Sequence, residues 1–191
     1  MIKAIIFDCF GVLAVDGWLP FKTEHFSDQP ERLREVTLLN RQTDAGLLPY
    51  DEFIRSVAAM AGVAPDDFRA QIEQTVVNTE LLEYIAAELK PAYQIGMLSN
   101  VAGHWLERKF TPAQRKMFDV VSLSSQTGFV KPDPRAYEAV LTELGLGAGE
   151  ALFVDDREGN CSAAREVGMQ ALLYHDFVQF KHDLTEVLQS K

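Results

Sequence analysis

Residues Ile2 to Phe7 are apolar at nearly every position, without the alternation of a half-exposed strand, and so predict a central strand buried on both faces. Four further runs read the same way: Gln94–Leu98, Val120–Leu123, Ala151–Asp155 and Ala171–Tyr174. Helical patterns separate them, and the one from Pro134 to Leu144 is well punctuated. Asp133 suits its cap, Pro134 its first position and Gly145 a left-handed exit. A shorter helix, about Cys161–Val167, ends at Gly168 in the same manner, and the tail from Phe177 onward reads as an amphipathic helix that closes the fold.

The interval from Asp16 to Asn78 holds no convincing strand. Tyr50, Phe53, Ile54, Val57, Ala58 and Ala61 fall on the apolar stripe of one helix. Leu33, Val36 and Leu39 predict a helix before it, and Phe68 and Ile72 one after it. The pattern as a whole predicts an α/β fold: a Rossmann-like, doubly wound parallel sheet of five strands with a small α-helical cap inserted after the first. Residues 1–15 and 79–191 would form the core and residues 16–78 the cap, a lid over the strand ends able to exclude water.

The 191 residues suffice for one substantial domain with a modest insert. A formal net charge of -10 argues against nucleic acid or an anionic membrane as the main partner, since both need a basic surface. A small phosphorylated substrate stays compatible, because it feels a local pocket rather than the global field. No basic leader precedes the first strand, and no apolar run approaches the ~20 residues of a membrane span. Cys9 and Cys161 are too few for a disulfide framework, so a cytoplasmic protein with reduced thiols is expected. The oligomeric state is not readable from the pattern.

Chemistry gathers at the strand ends, where ligands bind in open α/β sheets. Asp8 stands at the carboxyl end of the first strand, just before the sharp turn that Gly11 permits. The second strand ends in Ser99 and Asn100, Lys131 follows the third, and Asp155, Asp156 and Asn160 end the fourth. Singly, each of these is as compatible with a cap, a turn or a solvated side chain. Together they put carboxylates, a hydroxyl and an ammonium at one crevice.

The ordered segments FDCFGVL, LSN, the lysine of VKPDPRAYEAVL, and FVDDREGNCSAAREVGM resemble the four motifs of the haloacid dehalogenase superfamily, and the match runs end to end. The helical insert is similar to the α-helical cap of its subfamily I. The spacing of Asp155, Asp156 and Asn160 resembles the branch holding the epoxide hydrolase phosphatase domain and bacterial sugar-phosphate phosphatases. The resemblance implies a Mg²⁺-dependent phosphohydrolase acting on a small phosphorylated metabolite, with a sugar phosphate as one candidate. Asp8 would be the nucleophile that becomes an aspartyl-phosphate. Asp8, the Phe10 carbonyl and Asp156 would hold the metal. Ser99, the Asn100 amide and Lys131 would grip the phosphoryl oxygens, with Asp155 and Asn160 orienting the metal site from behind.

Phe10 departs from the family pattern. Most phosphatases of the superfamily carry a second aspartate there as general acid and base, and loss of such a group costs about 10²–10⁴-fold in rate. Two alternatives stay open at this point: a metal-independent 2-haloacid dehalogenase, and a catalytically silent binding or regulatory module. Trp18, Phe21, His25 and Arg41 are candidate cap contributions to the pocket, with His104 and Trp105 from the core. Cys9 is expected to pack within the sheet, and His175 and His182 lack metal-ligand spacing with each other.

Overall fold

A computed structural model describes residues 1–74, 76–101, 106 and 109–189. Five parallel strands, β1 (Ala4–Phe7), β2 (Gln94–Ser99), β3 (Val120–Leu123), β4 (Ala151–Asp155) and β5 (Gln170–Leu173), lie in the order β3-β2-β1-β4-β5. β1 is central because both its neighbours pair with it in register, Ala4 with Gln94 and with Ala151. It begins two residues later than its apolar run. Its partner strand starts only after the turn at Ala148–Glu150, so the ladder with β4 opens at Ala4.

Alternate side chains of β1 enter opposite layers. Ile5 and Phe7 pack with Leu81, Ile85, Phe180 and Leu184 on one face. Ala4 and Ile6 pack with Tyr137, Val140, Phe153 and Ala164 on the other. Both faces are therefore covered by helices, which is why the strand is apolar throughout.

The insert consists of four helices, α1 (Trp18–Phe26), α2 (Pro30–Asp44), α3 (Tyr50–Ala61) and α4 (Pro65–Glu73). They close on an apolar cluster of their own, built from Phe21, Phe26, Val36, Phe53, Ile54, Val57, Ala58 and Phe68. The periodicity of α2 to α4 is legible in the sequence, whereas α1 is not. Only Phe21 and Phe26 of α1 are buried, too few for a stripe, and its start is set by Asp16, whose Oδ1 accepts the N–H groups of Trp18 and Leu19. The chain leaves and re-enters the core side by side. Val15 N–H donates to the Val76 carbonyl at 2.9 Å and Asn78 N–H to the Leu13 carbonyl at 2.8 Å.

On the core, α5 (Thr79–Tyr84) continues into a wider turn at Ile85–Leu89, and α6 (Pro134–Leu144) has the expected bounds, with Asp133 capping and Gly145 in the left-handed region. Helix α7 (Glu158–Val167) begins a turn earlier than expected, and α8 (Phe177–Gln189) closes the fold. The early start puts Asn160 in the first turn of α7, facing β4. Both cysteines are buried and unpaired. Among the described residues no helix is long and apolar enough to cross a membrane.

Candidate active site

The connections from β1 run one way across the sheet to β2 and β3, and β4 and β5 lie on the other side. The crevice outside β1 and β4 is thus the switch point of the topology. Asp8 stays tied to β4 through its N–H on the Val154 carbonyl (2.8 Å), and its Oδ1 accepts the N–H of Cys9 (2.6 Å). Cys9 itself is buried in the apolar layer, as expected. Gly11 then turns the chain at φ +90°, a region that favours glycine. A Cβ there would lie 2.3 Å from Asp156 Oδ2. Gly11→Ala is expected to push the Asp156 carboxylate away and to lower thermal stability. An unchanged melting temperature and unchanged cation binding would show that the turn can relax.

Lys131 reaches the same point from the segment after β3. The Asn100 side chain clamps its backbone on both sides, donating to the Lys131 carbonyl (3.0 Å) and accepting its N–H (2.8 Å). The Lys131–Pro132 bond is cis. The ammonium is buried, 2.7 Å from Asp8 Oδ1 and 2.8 Å from Asp155 Oδ2, over the Phe153 ring. Burial alone would lower its pKa, but the flanking carboxylates more than offset that and hold it charged. Burial likewise holds Asp8 above the ordinary carboxylate range, although Lys131 pulls the other way.

Asp155 and Asp156 are neighbours with different surroundings. Asp155 is fully buried and its oxygens are taken up by Lys131 Nζ, Asn160 Nδ2 (3.0 Å) and the Arg157 N–H (2.9 Å). Asn160 is fixed in turn by Tyr137, whose hydroxyl donates to its carbonyl at 2.9 Å. Asp156 Oδ1 is buried without a hydrogen-bond partner among the described residues, and its nearest cation is Arg157 Nε at 3.9 Å. Burial, then the Asp155 charge, push its pKa up.

One oxygen each of Asp8, Asp155 and Asp156 lies within 4.8 Å of the others, with a single ammonium among them. The three carboxylates share that ammonium, and the Arg157 guanidinium beside Asp156 is itself paired with Asp16, so surplus negative charge remains next to an Asp156 oxygen that accepts no hydrogen bond among the described residues. That is the donor set of a hard dication, and the missing Cβ at Gly11 is what lets the Asp156 carboxylate sit so close to the turn after Asp8. The residues present fit Mg²⁺.

A cavity of about 330 Å³ opens above this cluster, lined from the core by Asp8, Phe10, Asn100, Val101, Lys131, Arg157 and Asn160. Ser99 is buried at the end of β2 beneath it. Its Oγ has no hydrogen-bond partner among the described residues, and it does not reach the cavity wall. Of the cap candidates, Trp18 lines the cavity. Phe21 does not, because it is consumed in the insert's own core against Phe68 and His25. His25 packs on Phe21 and Arg41 points to solvent, so neither lines the cavity. His104 and Trp105 lie outside the described residues.

Sequence reasoning missed Asn40, Thr43 and Asp44, which line the cavity from the last turn of α2, and Tyr50, Asp51, Arg69 and Glu73 from α3 and α4. The signal was present in α2: these three polar residues fall at i, i+3 and i+4, on one face. Nothing local marks Arg157, which matters through its 3.0 Å pair with Asp16, 141 positions away.

A family profile described as haloacid dehalogenase-like hydrolase matches residues 2–168. D-Ribitol-5-phosphate phosphatase of Bacteroides thetaiotaomicron is 24% identical over 213 residues, covering 100% of both chains. A sesquiterpene phosphatase of Aspergillus oryzae is 28% identical over 183 residues, 89% of this chain and 88% of that one. Among solved structures, a haloacid dehalogenase family enzyme of B. thetaiotaomicron in complex with magnesium and inorganic phosphate superposes with a TM-score of 0.73 and 26% identity, covering 94% of this chain and 99% of that one.

Proposed function

The chain belongs to the haloacid dehalogenase-like hydrolases, and from that membership we propose that it is a Mg²⁺-dependent phosphohydrolase of small phosphorylated metabolites, working through an aspartyl-phosphate on Asp8. The observation that carries this reading is the trio Asp8, Asp155 and Asp156 around Lys131, with one oxygen of Asp156 lacking a hydrogen-bond partner among the described residues. Asp8, the Phe10 backbone carbonyl and Asp156 would hold the cation. When bound, Mg²⁺ neutralises the repulsion between the carboxylate and an incoming phosphate.

The chain's own residues do the rest. Asp8 Oδ attacks phosphorus in line with the leaving oxygen. Lys131, already charged and fixed between two carboxylates, sits where negative charge collects on the phosphoryl oxygens. The Asn100 backbone N–H adds a donor, since the Asn100 side chain is committed to Lys131, whereas Ser99 lies beneath the cavity wall and would have to turn its Oγ, without a hydrogen-bond partner among the described residues, toward it to add a second. Asp155 and Asn160 hold Lys131 and the start of α7 in place. The insert acts as a cap, residues 16–78 over a core of 1–15 and 79–191, and shields the intermediate from stray water.

The hydrogen-bonding side chains set into the cavity wall, Asn40, Asp51 and Arg69 among them, and the polyol phosphatase relative support a sugar or polyol phosphate as substrate. A metal-free haloacid dehalogenase would have no use for Asp156, whose half-buried charge beside Asp155 is a cost unless a cation offsets it.

The test is phosphate release from sugar, polyol and acyl phosphates with Mg²⁺ and with a chelator. Release that needs the metal is expected, and halide release from 2-haloacids in chelator with no phosphate release would overturn the reading. Asp156→Ala should weaken Mg²⁺ binding at least as much as the loss of an outer partner does, about 10–100-fold. A titration that superposes on the unsubstituted protein would remove Asp156 from the ligand set.

A further inference from the structure

Phe10 occupies the wall of the cavity where the reaction needs a proton donor, and a phenyl ring has no proton to give. Four acids outside the catalytic cluster also line that cavity: Asp16, Asp44, Asp51 and Glu73. Three are already engaged. Asp16 pairs with Arg157 at 3.0 Å, Asp51 with Arg69 at 2.7 Å, and Glu73 with Arg69 at 3.6 Å while accepting from the Tyr50 hydroxyl. Asp44 alone of the four forms no ion pair among the described residues. We propose that Asp44 of the helical insert delivers the proton to the leaving group, in the role that Phe10 leaves empty; the inference rests on the phosphohydrolase reading above.

The local chemistry suits a proton donor. Asp44 Oδ2 accepts a hydrogen bond from Asn40 Nδ2 at 2.8 Å, which orients the carboxyl. Burial pushes the group up to about 7, although Arg157, the Asn40 bond and Lys131 draw it down and Asp16 acts with burial. A carboxyl in that range carries a proton in a good share of molecules at neutral pH and gives it up readily, which is what general-acid catalysis needs.

The backbone fixes Asp44 to the core. Its carbonyl accepts from the Ser124 hydroxyl at 2.5 Å, and Ser124 Oγ in turn accepts the N–H of Val101 at 3.0 Å. Ser124 is buried just beyond β3, and Val101 follows Asn100, the residue that clamps Lys131. One hydrogen-bonded chain therefore links the insert's acid to the two segments that hold the phosphoryl group. Asp44 is thus not a surface residue that drifts with its helix.

In the first half-reaction Asp8 Oδ bonds to phosphorus and the bond from phosphorus to the leaving oxygen breaks. That electron pair stays on the oxygen, which takes the proton from Asp44 and departs as an alcohol. In the second half a water oxygen attacks phosphorus and its proton returns to the Asp44 carboxylate. The pair of the breaking acyl-phosphate bond goes back to Asp8, and inorganic phosphate leaves.

The experiment compares kcat/KM for a polyol monophosphate, whose alkoxide needs a proton, and p-nitrophenyl phosphate, whose phenolate does not. Asp44→Asn is expected to lose about 10²–10⁴-fold on the polyol ester, and much less on the aryl ester. Adding Phe10→Asp to Asp44→Asn should return part of the polyol activity. Equal losses on both esters, no loss on the first, or no return in the double variant would overturn the assignment. Phosphate release by the unsubstituted protein, abolished by Asp8→Asn, would still keep the phosphohydrolase reading. Release from neither ester by the unsubstituted protein would end both.

Discussion

Asp8→Asn is expected to fold and to lose turnover by on the order of 10⁴–10⁶-fold, the range seen when the nucleophile of a covalent mechanism is removed. The amide has nearly the shape of the carboxylate, but its oxygen is neutral and a poor nucleophile. The Cys9 N–H still finds an oxygen at the same place, and Lys131 keeps Asp155 as counter-charge. Because burial already disfavours the charge on Asp8, neutralising it should not reduce stability. The expected signature is lost phosphate release with a melting temperature equal to or above that of the unsubstituted chain. Retained turnover would remove the aspartyl-phosphate. A collapsed melting temperature would show that Asp8 is mainly structural.

Lys131→Met should be the most damaging change to stability at the site. The side chain lies between two carboxylates at 2.7 and 2.8 Å from one nitrogen and is almost wholly buried at the cavity floor. Removing one partner of a buried ion pair costs about 3–5 kcal/mol, because the other is left charged and unpaired. The loss is expected in urea unfolding with chelator present, along with loss of turnover. Mg²⁺ should recover part of the stability but not the activity, since a cation can balance the carboxylates but cannot replace a donor at the phosphoryl oxygens. A loss under about 1 kcal/mol would place the pair in the class of weak, solvent-screened contacts.

What the sequence reveals follows from how local the cause is. β3, β4, α3 and α6 have their expected bounds because apolar runs, caps and glycine exits are properties of neighbouring residues. Asp8, Lys131, Asp155 and Asp156 were visible because parallel topology delivers strand ends to one edge, whatever the side chains do afterwards. The expectation stopped at contacts between segments. Asn100 is expected at the phosphate through its amide, yet its side chain is spent on the Lys131 backbone, which leaves only the backbone N–H for that role. Phe21 and His25 were aromatic candidates for the pocket, and the insert's own core absorbs the first and covers one face of the second. Asp44 escaped notice because its importance lies in the cavity it faces and in Ser124, 80 positions on.

The paired hydrogen bonds at Val15–Val76 and Leu13–Asn78 bring the two ends of the insert together at a single doorway. A closed loop gains entropic cost only with the logarithm of its length, about 0.6 kcal/mol per doubling. Material between those ends can therefore be lengthened, shortened or exchanged with little penalty to the sheet. Asp8, Lys131 and Asp156 would keep their places while the wall opposite them is rewritten. An architecture of this kind separates the inheritance of a reaction from the inheritance of a substrate, so descendants can change diet without relearning their chemistry.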